Sequence, residues 1–298
     1  EAQDIETAAT ICKRLNIEHH VIDLCEDYKR EVLDYFRQEY LAGRTPNPCV
    51  RCNRTMKFEA LINKAKAAGI SFDYFATGHY VRKETDPATG LCHLRKARDL
   101  KKDQTYFLCQ LRQEQLRKLL FPLGDMLKSE VKELAAKIGW NDLAGKAESQ
   151  DFIETDDYGM LFKNGELRPG AIVDSAGNKV GEHRGIAYYT IGQRRGLGGG
   201  AAEAAYVTGI NAQNNTVQIG KRSELMSREL AADGVIWASG EAPVGSLRIK
   251  AKIRQLHKEA DALLEVSSAP RKEGARLLFD EAQSAITPGQ VVAFYQDD

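Results

Sequence analysis

The sequence predicts an α/β domain with a parallel sheet, then a small β-rich domain, then a C-terminal β-barrel. Three observations predict this order. Helix and strand patterns alternate as far as residue 150, hairpin turns dominate after that, and short strands with turns between them follow residue 230. We therefore expect domains at residues 1–155, 156–228 and 229–298.

The first domain opens with a helical pattern in which apolar residues recur between Ile5 and Leu15. Because this helix is already under way at Glu1, we expect further sequence to precede it. The next predicted elements are a strand at 19–24, helices at 26–42 and 55–68, a strand at 72–80, and helices at 113–119 and 128–138. Ligands of parallel sheets bind beyond the carboxyl ends of the strands, which is where Gly78 and His79 lie.

Turn chemistry marks the second domain. Ala-Gly-Asn at 176–178 and Asn-Asn at 214–215 are typical of hairpin turns between short strands, and "GIAYYTIGQRRG" between them is also expected to contain short strands. The third domain carries strand patterns at 246–256, 261–266, 275–279 and 290–295. Several short strands separated by turns predict a small barrel.

Charge and cysteine usage narrow the function classes. The chain has 42 basic and 42 acidic residues, so the whole molecule does not attract polyanions and any nucleic-acid surface must be local. It has no apolar run long enough to span a bilayer. Most of the six cysteines lie in apolar patterns, as in cytosolic proteins with reduced thiols. We therefore expect a cytoplasmic protein with no membrane partner.

The segment "GRTPNPCVRCNRTMKF" at 43–58 holds two cysteines, Cys49 and Cys52, with metal-ligand or redox spacing. Nearby basic residues lower a thiol's pKa, and Arg44, Arg51, Arg54 and Lys57 are all close in sequence. A structural zinc would need two more ligands, and the sequence has no second CxxC and no HxxxH. A redox disulfide, a sulfur-handling or cluster-binding site, and two ordinary loop cysteines remain open.

Two further segments each allow two interpretations. His79, in "ATGHY", would touch phosphate or act as an acid, or it is a structural histidine with satisfied hydrogen bonds. The segment "RKARDLKKDQTYFL" at 95–108 combines basic residues with Tyr106 and Phe107. Basic plus aromatic residues are typical of nucleic-acid surfaces, although a solvated charge run has the same composition.

A strand pattern at 246–255 alternates apolar and basic residues, which places all four cations on one face. Same-face residues recur about every 7 Å, close to the spacing of successive phosphates. We favour phosphate binding by this face over pairing with Asp261 and Glu265 of the next strand. The cations are Arg248, Lys250, Lys252 and Arg254.

Seven motifs, in order and nearly from end to end, resemble the tRNA-specific 2-thiouridylases, the MnmA/TrmU family. They are "GRTPNPCVRCNRTMKF", "ATGHYVR", "KKDQTYFL", "FPLGDMLKSEVKELA", "ESQDF", "YTIGQRRGLG" and "TPGQVVAFY". The resemblance implies an adenine-nucleotide α-hydrolase-like (PP-loop ATPase) domain, a central domain, and a tRNA-binding β-barrel. It implies adenylation of C2 of the wobble uridine by ATP, with Mg²⁺, and sulfur transfer to give 2-thiouridine. The implied partners are tRNA and a persulfide or sulfide donor protein, with no role for DNA.

The resemblance also assigns individual positions. Cys52 matches the catalytic cysteine, while Cys49 lies where many members carry an aspartate. Gly78 matches a glycine that contacts the nucleotide. The target-base loop comprises Asn47, Pro48 and Cys49. The positions matched to tRNA contacts are His79, Lys102, Asp103, Gln104, Arg254, Gln255 and Gln290.

This sequence departs from the family pattern in two ways that bear on chemistry. The Ser-Gly-Gly-x-Asp-Ser phosphate loop is absent, so we expect the chain as given to bind ATP poorly. The cysteine that many members carry after Ser-Gln-Asp is missing from "ESQDFIETDD". Cys49 and Cys52 would then carry the sulfur themselves, or bind an iron–sulfur cluster together with a further ligand such as Cys109. A catalytically idle tRNA-binding paralogue and a pyrophosphatase-type enzyme for a small molecule are the competing functions.

Overall fold

The computed structural model describes residues 2–140, 158–197, 205–266 and 274–296. The "ESQDFIETDD" segment lies outside these ranges. Helices dominate the N-terminal part, and none of the described helices combines the length and apolar character needed to cross a membrane. The α-helices are α1 (Ala2–Leu15), α2 (Cys25–Tyr28), α3 (Asp34–Leu41), α4 (Pro48–Cys52), α5 (Leu61–Ala67), α6 (Thr105–Leu108), α7 (Gln113–Leu116) and α8 (Lys128–Lys137).

Two pairs of these helices are continuous, because π-helical turns join them. Lys29–Leu33 connects α2 to α3, which confirms the helix predicted at 26–42. Asn53–Ala60 connects α4 to α5. The second helix therefore begins at Pro48 rather than at the predicted residue 55, and both cysteines of the CxxC pair lie inside it.

The described part of the N-terminal unit contains one parallel strand pair. Strand β1 (Phe75–Ala76) pairs with β4 (Leu119–Leu120), and a hairpin of β2 (Arg82–Thr85) and β3 (Cys92–Arg95) follows β1. The predicted helix at 113–119 is shorter, because the chain enters β4. The strand predicted at 19–24 is wrong. That segment has no regular structure and belongs to none of the described sheets, and its Val21 is 59% exposed.

The central unit is a four-stranded sheet in the order β6-β5-β8-β7. The predicted turns at 176–178 and 214–215 join its strands, so the hairpin interpretation is confirmed there. The described residues of "GIAYYTIGQRRG" form a 3₁₀ turn at Ile186–Tyr188 and irregular backbone, so short strands were a wrong prediction for them. The strands are β5 (Gly170–Val173), β6 (Lys179–His183), β7 (Tyr206–Asn211) and β8 (Thr216–Gly220).

The C-terminal unit is a five-stranded antiparallel sheet in the order β13-β10-β11-β12-β9. Its core contains Ile249, Leu264, Leu277 and Phe279, from three adjacent strands. The sequence patterns missed β9, because its apolar residues do not alternate with its polar ones. The strands are β9 (Met226–Asp233), β10 (Ser246–Lys252), β11 (Ala260–Val266), β12 (Gly274–Ser284) and β13 (Ala293–Tyr295).

A small apolar cluster joins the N-terminal unit to this sheet. Val50, Tyr106 and Ala293 are each at most 1% exposed and pack together. The Tyr106 hydroxyl donates a hydrogen bond to the main-chain oxygen of Val291 at 2.8 Å. Because Val50 lies between the two cysteines, this cluster fixes the side of the cysteine helix that faces away from them.

Candidate active site

The cysteines lie in the first turns of a capped helix, and not in a loop as the Pro-rich sequence indicated. The Asn47 side-chain oxygen accepts a hydrogen bond from the main-chain N–H of Val50 at 3.1 Å, which is the geometry of an N-cap. Pro48 occupies the first helical turn, where its missing N–H costs nothing. Cys49 and Cys52 are three residues apart, so their side chains lie on the same face.

Neither Cys49 nor Cys52 forms a disulfide, and both are only partly buried. Burial raises the pKa of Cys52, the Lys57 charge lowers it, and a thiolate at Cys49 would raise it further. The net effect is that the pKa of Cys52 is raised. The prediction that nearby arginines acidify this thiol is therefore wrong for Cys52. Such a thiol remains mostly protonated at neutral pH and is a weak nucleophile until something changes its environment or its chemistry.

The arginines do not acidify the thiol because carboxylates neutralise two of them. The Arg44 guanidinium binds the Glu39 carboxylate, with a 2.6 Å contact from Nε. Arg51 donates to the Glu31 carboxylate at 2.7 Å. Lys57 is the cation whose charge reaches Cys52.

Arg54 differs from these two arginines. Burial lowers the pKa of Arg54, and the charges of Arg112 and Arg51 lower it further, while Glu59 raises it. Within the ranges the structure describes, no carboxylate forms a salt bridge with Arg54. A partly buried guanidinium beside two others is a place where a phosphate would be stabilised.

Tyr28 lies beside the thiols and was missed by the sequence patterns. Burial raises the pKa of Tyr28 to about 12, and thiolates at Cys52 and Cys49 would contribute to that rise. Its hydroxyl therefore stays protonated at neutral pH. Nothing in the local sequence marks this residue, because its position depends on packing between two helices distant in sequence.

Gly78 and His79 directly follow β1, as predicted. A Cβ added to Gly78 would meet its nearest neighbour, Leu123, at 3.7 Å, which is ordinary contact. The fold itself therefore does not require glycine there, and the open backbone is suited to close approach by a ligand.

His79 is 9% exposed and shares a 2.9 Å hydrogen bond between its Nδ1 and the Thr77 hydroxyl. Burial, with the Lys57 charge as the second cause, lowers the pKa of His79 to about 4. The imidazole is therefore neutral at pH 7. This favours the structural interpretation over an acid or a cationic phosphate ligand.

The segment 102–104 folds against the end of β10. The Asp103 carboxylate accepts hydrogen bonds from a main-chain N–H and a threonine hydroxyl, at 2.9 and 2.6 Å. Gln104 accepts one at 2.8 Å from the main chain of the "ATGHY" segment. Gln255 donates to the main-chain oxygen of Asp103 at 3.4 Å. The structure thus brings together residues 103 and 255, which the resemblance assigns to tRNA, and Lys102 is partly exposed beside them.

The basic strand is only partly available for phosphate. Arg248 binds the Asp280 carboxylate at 2.8 Å, rather than either acidic residue of β11. Lys252 lies 6.0 Å from the ring centroid of Tyr106, and Arg254 donates to a main-chain oxygen at the end of β12 at 2.9 Å. The expectation of a row of cations without acidic partners is therefore wrong for Arg248, where an interstrand carboxylate supplies the anion.

Gln290 lies against the segment that precedes the cysteine helix. Its Nε2 donates to the main-chain oxygens of Thr45 and Pro46, each at 3.2 Å. Its Oε1 accepts from Nδ2 of Asn47 at 3.5 Å. The C-terminal domain thereby contacts the predicted target-base loop directly.

Among the described residues, no group of three or more His, Cys, Asp or Glu side chains has the arrangement of a metal site. Cys109 does not join the cysteine pair in such a group. Its neighbours are the apolar residues of the Val50–Tyr106–Ala293 cluster, and burial raises the pKa of Cys109 to about 12.

Comparison with known protein families covers nearly the whole chain. Residues 1–154 match the tRNA methyl transferase HUP domain, residues 160–221 the tRNA methyl transferase PRC-barrel domain, and residues 227–298 the aminomethyltransferase beta-barrel domain.

Similar proteins include three that are named tRNA-specific 2-thiouridylase MnmA. The protein from Acetivibrio thermocellus is 41% identical over 99% of this chain and 82% of its own length. That from Endomicrobium trichonymphae is 43% identical over 100% and 82%, and that from Heliobacterium modesticaldum is 40% identical over 99% and 77%. With this coverage and identity, the chain belongs to the tRNA-specific 2-thiouridylase (MnmA) family.

Proposed function

We propose that this protein is a tRNA-uridine 2-sulfurtransferase that uses ATP to activate C2 of the wobble uridine and then replaces its oxygen with sulfur. The observation that carries the proposal is a pair of partly exposed cysteines, not joined by a disulfide, on one face of a capped helix. Family membership supplies the reaction, and this pair supplies the sulfur chemistry within it. We place the protein in the cytoplasm, where thiols remain reduced.

Two thiols are sufficient for the sulfur-transfer steps. A donor protein first passes sulfane sulfur to one cysteine of the pair, giving a persulfide. The terminal sulfur attacks the activated C2, and AMP leaves with the former C2 oxygen. The second cysteine then attacks the sulfur of the first, so that the thiolate of 2-thiouridine departs and a Cys49–Cys52 disulfide forms. A cellular thiol reductant restores the pair.

The environment of the pair suits this order of events. Burial keeps Cys52 protonated, so the resting thiol does not attack the activated uridine prematurely. A persulfide is more acidic than a thiol, so loading sulfur generates the nucleophile only when the cargo is present. Tyr28 stays protonated beside the pair, and its hydroxyl can donate a hydrogen bond to a developing sulfur anion.

Gly78 and Arg54 are the residues that we assign to the two substrates. We assign Gly78 to ATP, bound as its magnesium complex, because it follows β1 and the fold itself leaves room for a side chain there. We assign Arg54 to a backbone phosphate of the tRNA near the target base, because it is two residues from Cys52 in the same continuous helix and forms no salt bridge in the described ranges. Asn47, Pro48 and Cys49 would contact the uridine itself.

The remaining assignments to tRNA have unequal support. Lys102, Arg254 and Gln255 lie near the junction of the N- and C-terminal units, as does Gln290, whose side chain bonds the segment that precedes the cysteine helix. Gln255 has a buried Oε1 that finds no partner in the described part of the chain, so an incoming nucleotide donor or a water would satisfy it. His79, Asp103 and Gln104 already use their side chains within the protein, so we expect them to shape the surface rather than to bind phosphate.

Thiolation of tRNA tests the proposal directly. Full-length enzyme, ATP, tRNA and a persulfide donor are incubated, and nucleosides from digested tRNA are quantified by mass spectrometry. We expect 2-thiouridine with the parent enzyme and none with Cys52→Ser or Cys49→Ser. Cys12→Ser is the matched control, since Cys12 is a partly buried thiol on α1, and it should retain activity. Equal 2-thiouridine from Cys52→Ser and the parent would contradict the thiol mechanism and favour an idle tRNA-binding paralogue.

The same preparation distinguishes the persulfide route from a cluster-assisted one. A cluster held by Cys49 and Cys52 would need further protein ligands, and the described residues bring none to the pair. Anaerobically purified enzyme should therefore thiolate tRNA without stoichiometric iron. Activity that rises in proportion to bound iron and sulfide would refute this choice.

A further inference from the structure

The cap of the cysteine helix is held from outside its own domain. Three hydrogen bonds join Gln290 to successive residues of the preceding segment: its amide N–H groups donate to Thr45 and Pro46, and its oxygen accepts from Asn47. Asn47 in turn caps the helix through Val50. A continuous set of hydrogen bonds therefore runs from the C-terminal domain to the first turn of the helix that carries both thiols.

The neighbouring residues show that this contact is closely packed. The Thr45 main-chain N–H donates to the oxygen of Pro288 at 2.8 Å. Gly289 has φ +89°, and a Cβ there would lie 2.9 Å from both the nitrogen and the oxygen of Thr45. Only glycine adopts this conformation readily and leaves room for such an approach. Thr45 itself is 8% exposed, so the contact is largely shielded from water.

The hydrogen-bonding groups of Gln290 bear on whether its side chain contacts tRNA or holds the helix cap. A primary amide has two N–H donors and one oxygen. Both donors have acceptors within the protein, and the oxygen already accepts from Asn47. A tRNA contact through either N–H group would have to displace a bond to the segment that precedes the cap, whereas the oxygen has two lone pairs and Asn47 uses only one of them. Its partners within the protein therefore favour an internal role.

We propose that Gln290 is a positioning residue, which holds the Asn47 cap through the C-terminal domain and thereby sets the exposure and orientation of Cys49 and Cys52. This inference rests on the proposed sulfur transfer, because that reaction is the reason to orient the thiols. The experiment that tests it does not require sulfur transfer. Docking of the C-terminal domain and the geometry of the thiols become linked, because a side chain of that domain holds the segment that leads into the helix cap.

The test compares Gln290→Ala with Gln283→Ala in the full chain. Gln283 is in the same domain, and its side chain donates to a main-chain oxygen only two residues away. Alkylation of Cys49 and Cys52 by iodoacetamide is followed by mass spectrometry across a pH series. We expect alkylation to become about fivefold faster in Gln290→Ala, because loss of the hydrogen bonds lets the first turn open. Gln283→Ala should match the parent protein.

Binding of tRNA is measured on the same variants by filter retention across a salt series. We expect the Kd of Gln290→Ala to stay within about twofold of the parent, because both N–H groups of the side chain bond within the protein. Unchanged alkylation would overturn the proposal, and unchanged alkylation with a tenfold or larger loss of affinity, about 1.4 kcal/mol, would assign Gln290 to tRNA instead.

A milder variant covers the case in which Gln290→Ala does not fold. Asn47→Asp keeps the cap oxygen and removes the donor to Gln290, so the cap remains while its link to the C-terminal domain is lost. It should also speed alkylation, and an alkylation profile identical to the parent would refute the link. Because alkylation needs no sulfur transfer, a change in alkylation in a protein that fails to make 2-thiouridine would sustain the positioning role and refute the proposed function.

Discussion

The buried imidazole of His79 should make the stability of this protein fall at acidic pH. Burial, with the Lys57 charge as the second cause, lowers the pKa of His79 from 6.5 to about 4. At about pH 7, only about one molecule in a thousand would then carry a protonated His79, compared with about a quarter at the ordinary value. A substitution to glutamine, which retains a group able to bond the Thr77 hydroxyl, removes the titration and leaves the site polar.

The size and sign of the effect on stability follow from the two pKa values. Well above pH 6.5 the histidine is neutral in both folded and unfolded chains, so it adds no pH dependence there. As the pH falls from 6.5 towards 4, the unfolded chain gains a proton that the folded protein does not accept, so the folded state loses stability. The full loss corresponds to about 3 kcal/mol, of which about 2 kcal/mol develops between about pH 7 and pH 5.

Urea unfolding of the parent protein and of His79→Gln at these two pH values measures this loss. The parent should lose about 2 kcal/mol more than the variant between about pH 7 and pH 5. His19→Gln, at an exposed position, is the control for substituting histidine as such. NMR titration of the His79 ring gives the pKa independently. A midpoint near 6.5, or equal pH dependence in parent and variant, would refute the buried neutral imidazole and restore a cationic role.

Three further predictions concern the attachment of the cysteine helix. Asn47→Ala should cost about 0.5–2 kcal/mol of unfolding free energy through loss of the cap, while Asn47→Ser should retain most of it. Tyr106→Phe leaves the main-chain oxygen of Val291, which is partly buried, without its donor and should cost about 1–3 kcal/mol by urea unfolding; a free energy of unfolding equal to that of the parent would contradict the interdomain bond. Gly289→Ala should be more destabilising than Gly69→Ala, which has a similar φ but nothing within 4 Å of the added Cβ, and equal losses would contradict the close packing.

Local patterns in the sequence predict much of the fold. Helical periodicity identifies the segments that become Cys25–Leu41, and turn residues identify both hairpins of the central unit, because these signals depend on neighbours in sequence. Strand 19–24 fails since an apolar run indicates burial but not a partner strand. Strand β9 is missed because its sequence has no regular alternation of apolar and polar residues. Backbone pairing with β12 makes it a strand.

The site was less predictable than the fold. The CxxC spacing and Pro-rich context identify Cys49 and Cys52, but the helix that carries them begins where a loop was expected, because the capping role of Asn47 overrides the turn signal of the prolines. Arginine content predicts an acidic thiol, whereas Glu39 and Glu31 neutralise two arginines through contacts made by the folded chain. Composition gives the number of charged residues but does not show which of them form ion pairs in the folded chain.

The position of the cysteines also gives a reason for three domains in one chain. Residues 43–47 lie where all three units meet. An added Cβ on Gly43 would lie 3.2 Å from the Ile210 side chain, the Thr45 hydroxyl donates to that of Thr190 at 3.3 Å, and the Thr45 N–H donates to Pro288. The central and C-terminal units therefore both hold the segment that ends in the helix cap. Because the thiols follow that cap directly, their geometry depends on assembly of the whole chain, and an N-terminal domain alone would keep the cysteine motif without the contacts that orient it.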